Sequence, residues 1–311
     1  MAIRRIQPKA DFPKVLELVN CFEPEPLSLT ALLRWYQREL PGRIIRAMVA
    51  TDEQDQVVGY CEVFHETWFP AGEFQVWVIV DPKVRKQGIA SALLKEAQSI
   101  YSDQGATSLK SEVRENRPDD LRFAQKHGFT IERLQFESTL DLIEFDERPF
   151  LPEVATLDAE GIRLASLADF GDSQVVRKKL YEVNFTTALD IPNVTNWMSF
   201  AEFETAVCGA DWYRPEGQFV AVKGDDFIGL SAVKLVPQTQ GAYNLMTGVM
   251  KAYRGCKIGL ALKLAGFRYA RQEGAVYIKT NNDSLNPAIL AINRKLGYQP
   301  QAGKYILECV L

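Results

Sequence analysis

Two patterns of apolar residues alternate along the chain. Short segments rich in β-branched and aromatic residues, separated by polar turns, predict strands in the first half at 44–50, 57–64, 74–80 and 107–113. Between the last two of these segments, apolar residues recur from Ile89 at positions i, i+3, i+4, i+8 and i+11, which predicts an amphipathic helix. A shorter helix is predicted to begin at Pro118, because proline is tolerated in the first turn of a helix.

The same order of strands and helices recurs in the second half of the chain. At an offset of 169 positions, residues 80–129 and 249–298 are identical at twelve of fifty positions. In the numbering of the first copy, the shared residues are Val80, Arg85, Ile89, Ala92, Leu93, Gly105, Ala106, Lys110, Pro118, Leu121, Lys126 and Gly128. Self-similarity at a fixed offset predicts that one structural unit is present twice.

The repeat predicts an α+β fold of two tandem domains, each with a mixed, largely antiparallel sheet flanked by helices. We expect the first domain to span residues 1–143 and the second to span residues 159–311. Residues 144–158 are acidic and contain Pro149 and Pro152, so they are the predicted linker. A chain of 311 residues is long enough for two domains that each bury a hydrophobic core.

Composition limits the class of protein. No stretch approaches the roughly eighteen consecutive apolar residues of a membrane span, and the N-terminal residues lack the apolar region of a secretion signal. The five cysteines are scattered without a CxxC spacing, which is typical of reduced thiols in a cytoplasm. We therefore expect a cytoplasmic protein that has no membrane partner.

Charge and histidine content further limit the kinds of partner that we expect. The net charge of −4 argues against a nucleic-acid partner, since such proteins usually carry a basic surplus. The chain has only two histidines, His65 and His127, so a histidine-based metal site is not expected. We expect a monomer or a homodimer.

The turn between the predicted strand 74–80 and the helix after it has the chemistry of an anion site. The first turn of a helix leaves backbone N–H groups unpaired, and the helix dipole adds partial positive charge. Gly88 lacks a side chain that would block a close approach, and Arg85 and Lys86 add charge, so a pyrophosphate can rest on those amides. The alternative is that Gly88 only lets the strand and the helix pack closely. The sequence contains neither a nucleotide-triphosphate P-loop nor a GxGxxG fingerprint after a strand.

This succession of strand, basic glycine turn, helix, strand, proline-started helix and Gly-aromatic pair resembles the GNAT (Gcn5-related N-acetyltransferase) superfamily. The signature of that family, Q/R-x-x-G-x-G/A, is met by Arg85, Gly88 and Ala90. The resemblance covers essentially the whole chain, as a tandem of two such domains. In this it is similar to the mycothiol synthase-like, two-domain small-molecule acetyltransferases.

The second copy departs from the family pattern. It keeps Arg254 and Gly259 but has Lys257 where the inner glycine belongs, and Lys257 would either clash with a diphosphate or add a charge contact to it. It also keeps Asn286 and Asn293, which in the family lie along the coenzyme A arm. The first domain is favoured for acetyl-CoA binding. The second is then either a degenerate copy that shapes the acceptor pocket or a second cofactor site.

The resemblance implies acetyl-CoA as donor and a primary amine as acceptor, with no metal. The cofactor-binding residues that it implies in the first copy are Val78, Val80, Arg85, Lys86, Gln87, Gly88, Ile89 and Ala90. In the second copy they are Val249, Arg254, Gly255, Lys257, Gly259, Asn286 and Asn293. The pyrophosphate would rest on the turn, and the pantetheine arm would pair with the preceding strand like an added strand.

Transfer to an amine also needs groups that move protons. An alkylammonium with a pKa near 10.4 must lose a proton before it attacks, and a carboxylate normally accepts it. Glu73 and Glu112 are the candidates, on the two strands expected to separate around the arm; otherwise both are surface carboxylates. The family tyrosine that reprotonates the thiolate is replaced by Ala124 and Asn293, so Tyr243 is the candidate acid unless the thiolate leaves unaided.

The leading hypothesis is therefore an acetyl-CoA-dependent N-acetyltransferase that acts on the primary amine of a small molecule. The missing tyrosine and the altered second turn leave room for a non-catalytic acyl-CoA-binding sensor. A protein N-acetyltransferase, with a peptide amine as acceptor, is the third possibility.

Overall fold

The computed structural model describes residues 1–22, 26–66, 69–192, 194 and 197–311. These residues form two compact units that do not coincide with the two halves of the chain. Unit 1 comprises residues 1–132 and 305–311, and unit 2 comprises residues 133–304. The units follow contacts in space, whereas the predicted domains 1–143 and 159–311 follow the sequence repeat. Those domain boundaries stay a prediction.

Unit 1 is built from the first copy of the repeat. Its elements are β1 (Ala2–Arg5), α1 (Pro8–Asn20), α2 (Leu29–Gln37), β2 (Ile44–Thr51), β3 (Val57–His65), β4 (Glu73–Val80), α3 (Ile89–Asp103), β5 (Ser108–Arg114), α4 (Pro118–Lys126) and the beginning of β6 (Thr130–Asp141). The pairs β1–β2, β2–β3 and β3–β4 are antiparallel, and β4–β5 is parallel.

Unit 2 repeats this plan with insertions. Its elements after β6 are α5 (Leu151–Val154), α6 (Thr156–Ala159), β7 (Ile162–Ser166), α7 (Gln174–Ala188), α8 (Phe200–Phe203), β8 (Gln218–Lys223), β9 (Asp226–Val236), β10 (Gly241–Val249), α9 (Ile258–Gln272), β11 (Tyr277–Asp283), α10 (Pro287–Lys295) and β12 (Gln299–Pro300). The parallel pair here is β10–β11. The predicted linker, 144–158, contains α5 and most of α6 and belongs to unit 2.

The two closing strands are exchanged between the copies. Strand β6 follows the first copy, yet most of its length pairs antiparallel with β11 in unit 2. The last strand of the chain, β13 (Lys304–Val310), follows the second copy but lies next to β5 in unit 1. Each sheet is therefore completed by a strand from the other half of the sequence.

Helices cover both faces of the sheet in unit 1. Leu93 of α3 is fully buried with Val63 and Val76 against one face. On the other face, Phe12 of α1 is buried with Val49 of β2. The acceptor face of unit 1 is defined here as the α1–α2 side of this sheet, opposite α3.

Unit 2 has the same layered arrangement. Leu264 and Phe267 of α9 are buried against one part of the sheet with Ile278 of β11. Leu180 of α7 packs with Leu230 of β9 in a separate cluster. No helix in the described ranges combines the length and the apolar character needed to cross a bilayer.

The exchanged strands predict which unit each core substitution destabilises. Leu307 of β13 is fully buried in the core of unit 1, so Leu307→Ala is expected to destabilise unit 1 by about 2–5 kcal/mol. Hydrogen exchange should then report lost protection in β5. Leu140→Ala in β6 is the reciprocal control, because that side chain is buried in unit 2 and its loss should weaken β11 instead. Protection lost in the opposite unit would contradict the exchange.

Candidate active site

Strands β4 and β5 separate partway along their length. Their parallel pairing runs from Glu73↔Ser108 to Gln75↔Lys110 and ends there. At that point the Ser111 hydroxyl donates to the carbonyl oxygen of Val76 at 2.9 Å. Beyond Gln75, β4 stays paired with β3 on one side, whereas its pairing with β5 has ended; the space between these parts of β4 and β5 is called slot 1.

Unit 2 contains the equivalent gap, slot 2, between β10 and β11. Pairing there ends at Asn244↔Thr280, and the Thr280 hydroxyl donates to the Asn244 carbonyl oxygen at 3.0 Å. Strand β10 is one residue longer than β4 because Leu245 is bulged out of the ladder with β9. A backbone edge that leaves its partner in this way can hydrogen-bond an extended ligand as an added strand.

A left-handed turn connects slot 1 to the start of α3. Lys86 has φ of 64° and Gly88 has φ of 81°, and Gly88 is the N-cap residue of α3. A Cβ atom at position 88 would meet no heavy atom within 4 Å, so the backbone angle, not crowding, favours glycine here. The first N–H groups of α3 therefore border open space at the end of the slot, a setting that suits an anion.

The turn in unit 2 has the same backbone with the two residue types interchanged. Gly255 has φ of 86° and Lys257, the N-cap residue of α9, has φ of 64°. Lys257 thus tolerates the left-handed conformation of Gly88, at a cost of about 1 kcal/mol. Its Nζ lies 3.7 Å from Glu153 Oε2 in unit 2. At the N-cap position, unit 1 has no side chain and unit 2 has a lysine. That Lys257 either clashes with a diphosphate or adds a charge contact to it stays a prediction.

The signature arginines bind protein groups in both turns. Arg85 Nε donates to the carbonyl oxygen of Val80 at 3.4 Å, and its NH1 donates to Asp120 Oδ1 at 2.9 Å. Arg254 Nε donates to the Val249 carbonyl oxygen at 3.1 Å. Each arginine therefore links the end of the strand to the turn, so it sets the shape of the turn as well as adding charge.

Two carboxylates border the turn of unit 1. Asp119 lies 3.7 Å from Lys86, and Asp120 pairs with Arg85. The corresponding positions of unit 2 hold Ala288 and Ile289. The carboxylates lower the positive potential at the turn of unit 1, since the interaction of charges a few ångströms apart is appreciable even near a surface.

Glu73, one of the two predicted proton acceptors, is among three carboxylates that lie around a lysine of unit 1. Lys110 of β5 has its Nζ at 2.9 Å from Glu132, 3.1 Å from Glu308 and 4.0 Å from Glu73. Although burial opposes it, the hydrogen bonds to Glu132 and Glu308 raise the pKa of the Lys110 ammonium. Glu112 shares a face of β5 with Lys110, in the part of the strand that has separated from β4.

A buried carboxylate that the sequence reasoning missed lies on β3. Glu62 is 1% exposed and is directly opposite Trp77 of β4, alongside slot 1. Trp35 Nε1 of α2 donates to Glu62 Oε1 at 3.2 Å. Burial raises the pKa of the Glu62 carboxyl to about 7, and the bond from Trp35 opposes that rise. The signal in the sequence was one acid within an otherwise apolar strand.

Tyr243, the predicted acid, donates its hydroxyl proton to Glu137 Oε1 at 3.0 Å within unit 2. Burial, and then this hydrogen bond, raise the pKa of the phenol well above its usual value. The phenol therefore holds its proton at neutral pH, and that proton is directed at a carboxylate. Its role as an acid stays a prediction.

The asparagines predicted along slot 2 occupy different settings. Asn286 caps α10 and accepts from the N–H of Ile289 at 3.3 Å. Asn293 is buried and donates to Asn282 Oδ1 at 2.7 Å, while its own Oδ1 has no hydrogen-bond partner in the described part of the chain. An unpaired buried acceptor costs about 1–3 kcal/mol, so a ligand donor at this place would be favoured.

A buried lysine stabilises the bulge of β10. Lys263 of α9 is 1% exposed and donates to Asn244 Oδ1 at 2.6 Å. Asn244 Nδ2 in turn donates to Ser231 Oγ at 2.9 Å and to the Met246 carbonyl oxygen at 3.1 Å, across the bulged residue. Burial lowers the pKa of the Lys263 ammonium to about 7.

Among the described side chains, no group of three or more His, Cys, Asp or Glu is arranged to hold a metal ion.

Comparison with protein families gives two matched regions. The model of the Acetyltransferase (GNAT) family matches residues 12–129 and residues 188–298. The first region contains β4, the turn, α3 and β5, and the second contains their counterparts in unit 2. Together the two regions cover well over half of the chain.

Curated relatives match most of the chain at low identity. A mycothiol acetyltransferase of Thermobispora bispora is 25% identical over 234 residues, which are 74% of this chain and 72% of that protein. A mycothiol acetyltransferase of Corynebacterium glutamicum strain R is 26% identical over 265 residues, 82% of this chain and 79% of that protein.

Solved structures match the complete fold. A tandem GNAT protein from the clavulanic acid biosynthesis pathway has a TM-score of 0.65 at 20% identity, covering 99% of this chain and 98% of that one. A GCN5-related N-acetyltransferase from Sphaerobacter thermophilus has a TM-score of 0.63 at 17% identity, covering 99% and 94%. At these identities the likeness shows the fold alone. The predicted fold class, two tandem α+β units, is confirmed.

The buried lysine predicts a pH-dependent stability. Because the pKa of Lys263 is about 7 when folded and about 10.4 when unfolded, the unfolded chain binds more protons between these values. The free energy of unfolding contributed by this group should therefore rise with pH, by up to about 1.4 kcal/mol per pH unit. Urea unfolding at about pH 7, 8 and 9 should show this rise in the parent and lose it in Lys263→Met. Lys178→Met, at an exposed lysine of α7, is the control and should behave as the parent; a pH-independent effect of Lys263→Met would contradict the prediction.

Proposed function

Because the chain belongs to the GNAT acetyltransferase family, we propose that it is an acetyl-CoA-dependent N-acetyltransferase that acylates the primary amine of a small molecule. The proposal depends on one observation. Beyond Gln75, β4 has lost its pairing with β5, and the turn after β4 leads to the N-terminus of α3, whose cap residue, Gly88, has no side chain. The names of the curated relatives support a small-molecule acceptor rather than a protein acceptor.

Slot 1 is the proposed site of the donor. Val78 and Val80 would offer backbone groups to the pantetheine arm, which has peptide-like amides and suits strand addition. The N–H groups of Ile89 and Ala90 at the start of α3 would receive the pyrophosphate, with Lys86 adding charge. Open space around position 88 leaves room for the phosphates to approach the backbone.

The chain's own groups account for the steps of the transfer. Bound acetyl-CoA supplies an activated acetyl group. A backbone N–H on the free edge of β4 can stabilise negative charge that develops on the thioester carbonyl oxygen. The predicted carboxylates Glu73 and Glu112 face the acceptor side of the sheet, where an ammonium would need to lose its proton before attack. A thiol with an ordinary pKa near 8.5 can leave as thiolate without help from an acid.

Slot 2 is proposed as a second ligand site rather than an inert copy. It retains the separated strands, the left-handed turn and a 15-residue helix beginning at Ile258. The unpaired Oδ1 of Asn293 would accept a hydrogen bond from an amide or hydroxyl of a bound arm. In the alternative, the same features serve only to shape the acceptor pocket.

The donor site is tested by placing a negative charge at the proposed phosphate seat. Gly88→Glu is expected to weaken acetyl-CoA binding at least tenfold by isothermal titration calorimetry, because a carboxylate would face the pyrophosphate. Gly105→Glu is the matched control: Gly105 has φ of 69°, no heavy atom lies within 4 Å of a Cβ there, and it follows the other end of the same helix. Equal affinities of the two variants would contradict slot 1 as the donor site.

The contribution of slot 2 is measured in the same way. Lys257→Glu reverses the charge at the equivalent position of unit 2. If both slots bind acetyl-CoA, this variant should lose one of two binding equivalents while Gly88→Glu loses the other. Loss of all binding in Lys257→Glu with full binding in Gly88→Glu would assign the donor to unit 2.

Activity itself is tested with amines of several classes. The parent protein, acetyl-CoA and glucosamine, spermidine, lysine or phenethylamine should release free thiol, detected with a disulfide dye, at a rate that depends on the amine. Tight acetyl-CoA binding without thiol release for any amine in a broad panel would favour the non-catalytic acyl-CoA-binding alternative.

A further inference from the structure

Glu62 lies at the place where the acceptor would meet the donor in unit 1. It is paired across the sheet with Trp77, two residues beyond the last pair that joins β4 to β5. Cβ atoms directly opposite each other in an antiparallel pair are about 5 Å apart. The side chain points to the acceptor face, because Trp35 of α2 bonds to it while the neighbouring Cys61 and Val63 pack with α3.

Among the described residues, no cation forms an ion pair or a hydrogen bond with Glu62. The guanidinium groups of Arg43 and Arg38 lie over the Trp35 ring, but they bond to another acid. Arg43 Nε lies 2.7 Å and Arg38 NH2 lies 2.9 Å from Glu66 Oε1. Glu62 itself accepts a hydrogen bond from a neutral donor, the indole N–H of Trp35. A buried carboxylate without a paired cation is costly, so its presence calls for a role.

The fold itself does not require an acid at this position. Strands β3 and β9 are equivalent, and pairing places Gly59 opposite Val80 and Gly229 opposite Val249. Counted from these glycines, the residue of unit 2 that corresponds to Glu62 is Ala232, which is buried and apolar. The carboxylate is therefore a feature of unit 1 alone.

Two indole side chains lie next to Glu62: Trp35 donates a hydrogen bond to it, and Trp77 is opposite it across the sheet. The ring of Phe64 makes edge contacts with Trp35 at 5.3 Å and with Trp77 at 5.4 Å between centroids. Both indoles are half-buried, so each presents part of its surface to solvent on the acceptor face. An acid bordered by indole rings suits an alkylammonium, which is attracted by the carboxylate and by the faces of the rings.

We propose that Glu62 is the residue that binds the ammonium of the acceptor and takes its proton. This rests on the proposed function and names the group that makes the amine nucleophilic. One N–H bond of the ammonium breaks and an O–H bond forms on Glu62. The freed electron pair forms the C–N bond to the thioester carbon, and the C–S bond breaks to leave a thiolate. The nitrogen, now bonded to the acetyl carbon, loses a second proton to solvent, which leaves a neutral amide. The proton on Glu62 then passes to the thiolate or to solvent, which restores the carboxylate.

The proton affinity of Glu62 fits this task at neutral pH. Its raised pKa of about 7 lies near the operating pH, where general bases are most effective. The titratable or charged groups around it are Tyr36, Tyr60, Cys61, Glu66 and Arg43. Since the basic form is present above the pKa, kcat/KM should rise with pH to a plateau above about 7.

The test is the pH profile of kcat/KM for the amine that the full-length protein turns over fastest among glucosamine, spermidine, lysine and phenethylamine. Glu62→Gln should lower kcat by about 10²–10⁴-fold. It should also remove the acidic limb of the profile, which is the rise of kcat/KM with pH below the plateau. Glu62→Asp should keep the limb and restore part of the rate. Trp35→Phe should move the limb to higher pH, because it removes the hydrogen bond that lowers the pKa of Glu62. Calorimetric affinity for acetyl-CoA should stay within threefold of the parent in all three variants.

Competing carboxylates are tested in parallel. Glu73→Gln and Glu112→Gln should keep the acidic limb even where they change the rate. A limb that persists in Glu62→Gln, or that disappears in Glu73→Gln or Glu112→Gln, overturns the assignment while leaving the acetyltransferase function intact. If the parent protein turns over no amine, the proposed function fails and the role of Glu62 fails with it. If Glu62→Gln does not fold, the shift of the limb in Trp35→Phe decides.

Discussion

In each unit, two parallel strands pair at one end and separate at the other, and the rest of the structure depends on this constraint. Pairing stops after Gln75 in unit 1 and after Asn244 in unit 2, and a hydroxyl from Ser111 or Thr280 bonds to a carbonyl at each point. Buried backbone groups beyond such a point need other partners. An extended ligand with amides of its own can supply them, and the helix that follows the strand offers an anion site at a set distance.

The two units keep this backbone and differ in the side chains placed on it. Both turns use two left-handed residues, and lysine and glycine are interchanged between them. Behind the slots, unit 2 places polar groups such as Lys263 and Asn293 where unit 1 has Leu94 and Ala124. Divergence of this kind preserves the backbone geometry of both slots while it changes the side-chain chemistry that each slot offers.

Much of the fold was accessible from the pattern of residues. The helix from Ile89, the proline at the start of α4 and the glycine turn all depend on interactions within a few residues, so periodicity and residue type predict them. Glu62 could not be singled out from the sequence, because what distinguishes it is burial next to Trp35, and the sequence does not show which face of α2 covers β3. The candidates Glu73 and Glu112 were chosen by residue type and by their place on the two strands expected to separate, and they remain competitors of Glu62.

The number of units, the order of their strands and helices, and the chemistry of the turns therefore follow from the sequence alone, because each is encoded locally and is repeated at a fixed offset. Tertiary structure decided three further features: the exchange of β6 and β13, the pairing of Arg85 with Asp120, and the isolation of a carboxylate on β3. Each of these joins residues that are far apart along the chain. Such contacts are selected by the packing of complete elements, and no local pattern of apolar and polar residues specifies them.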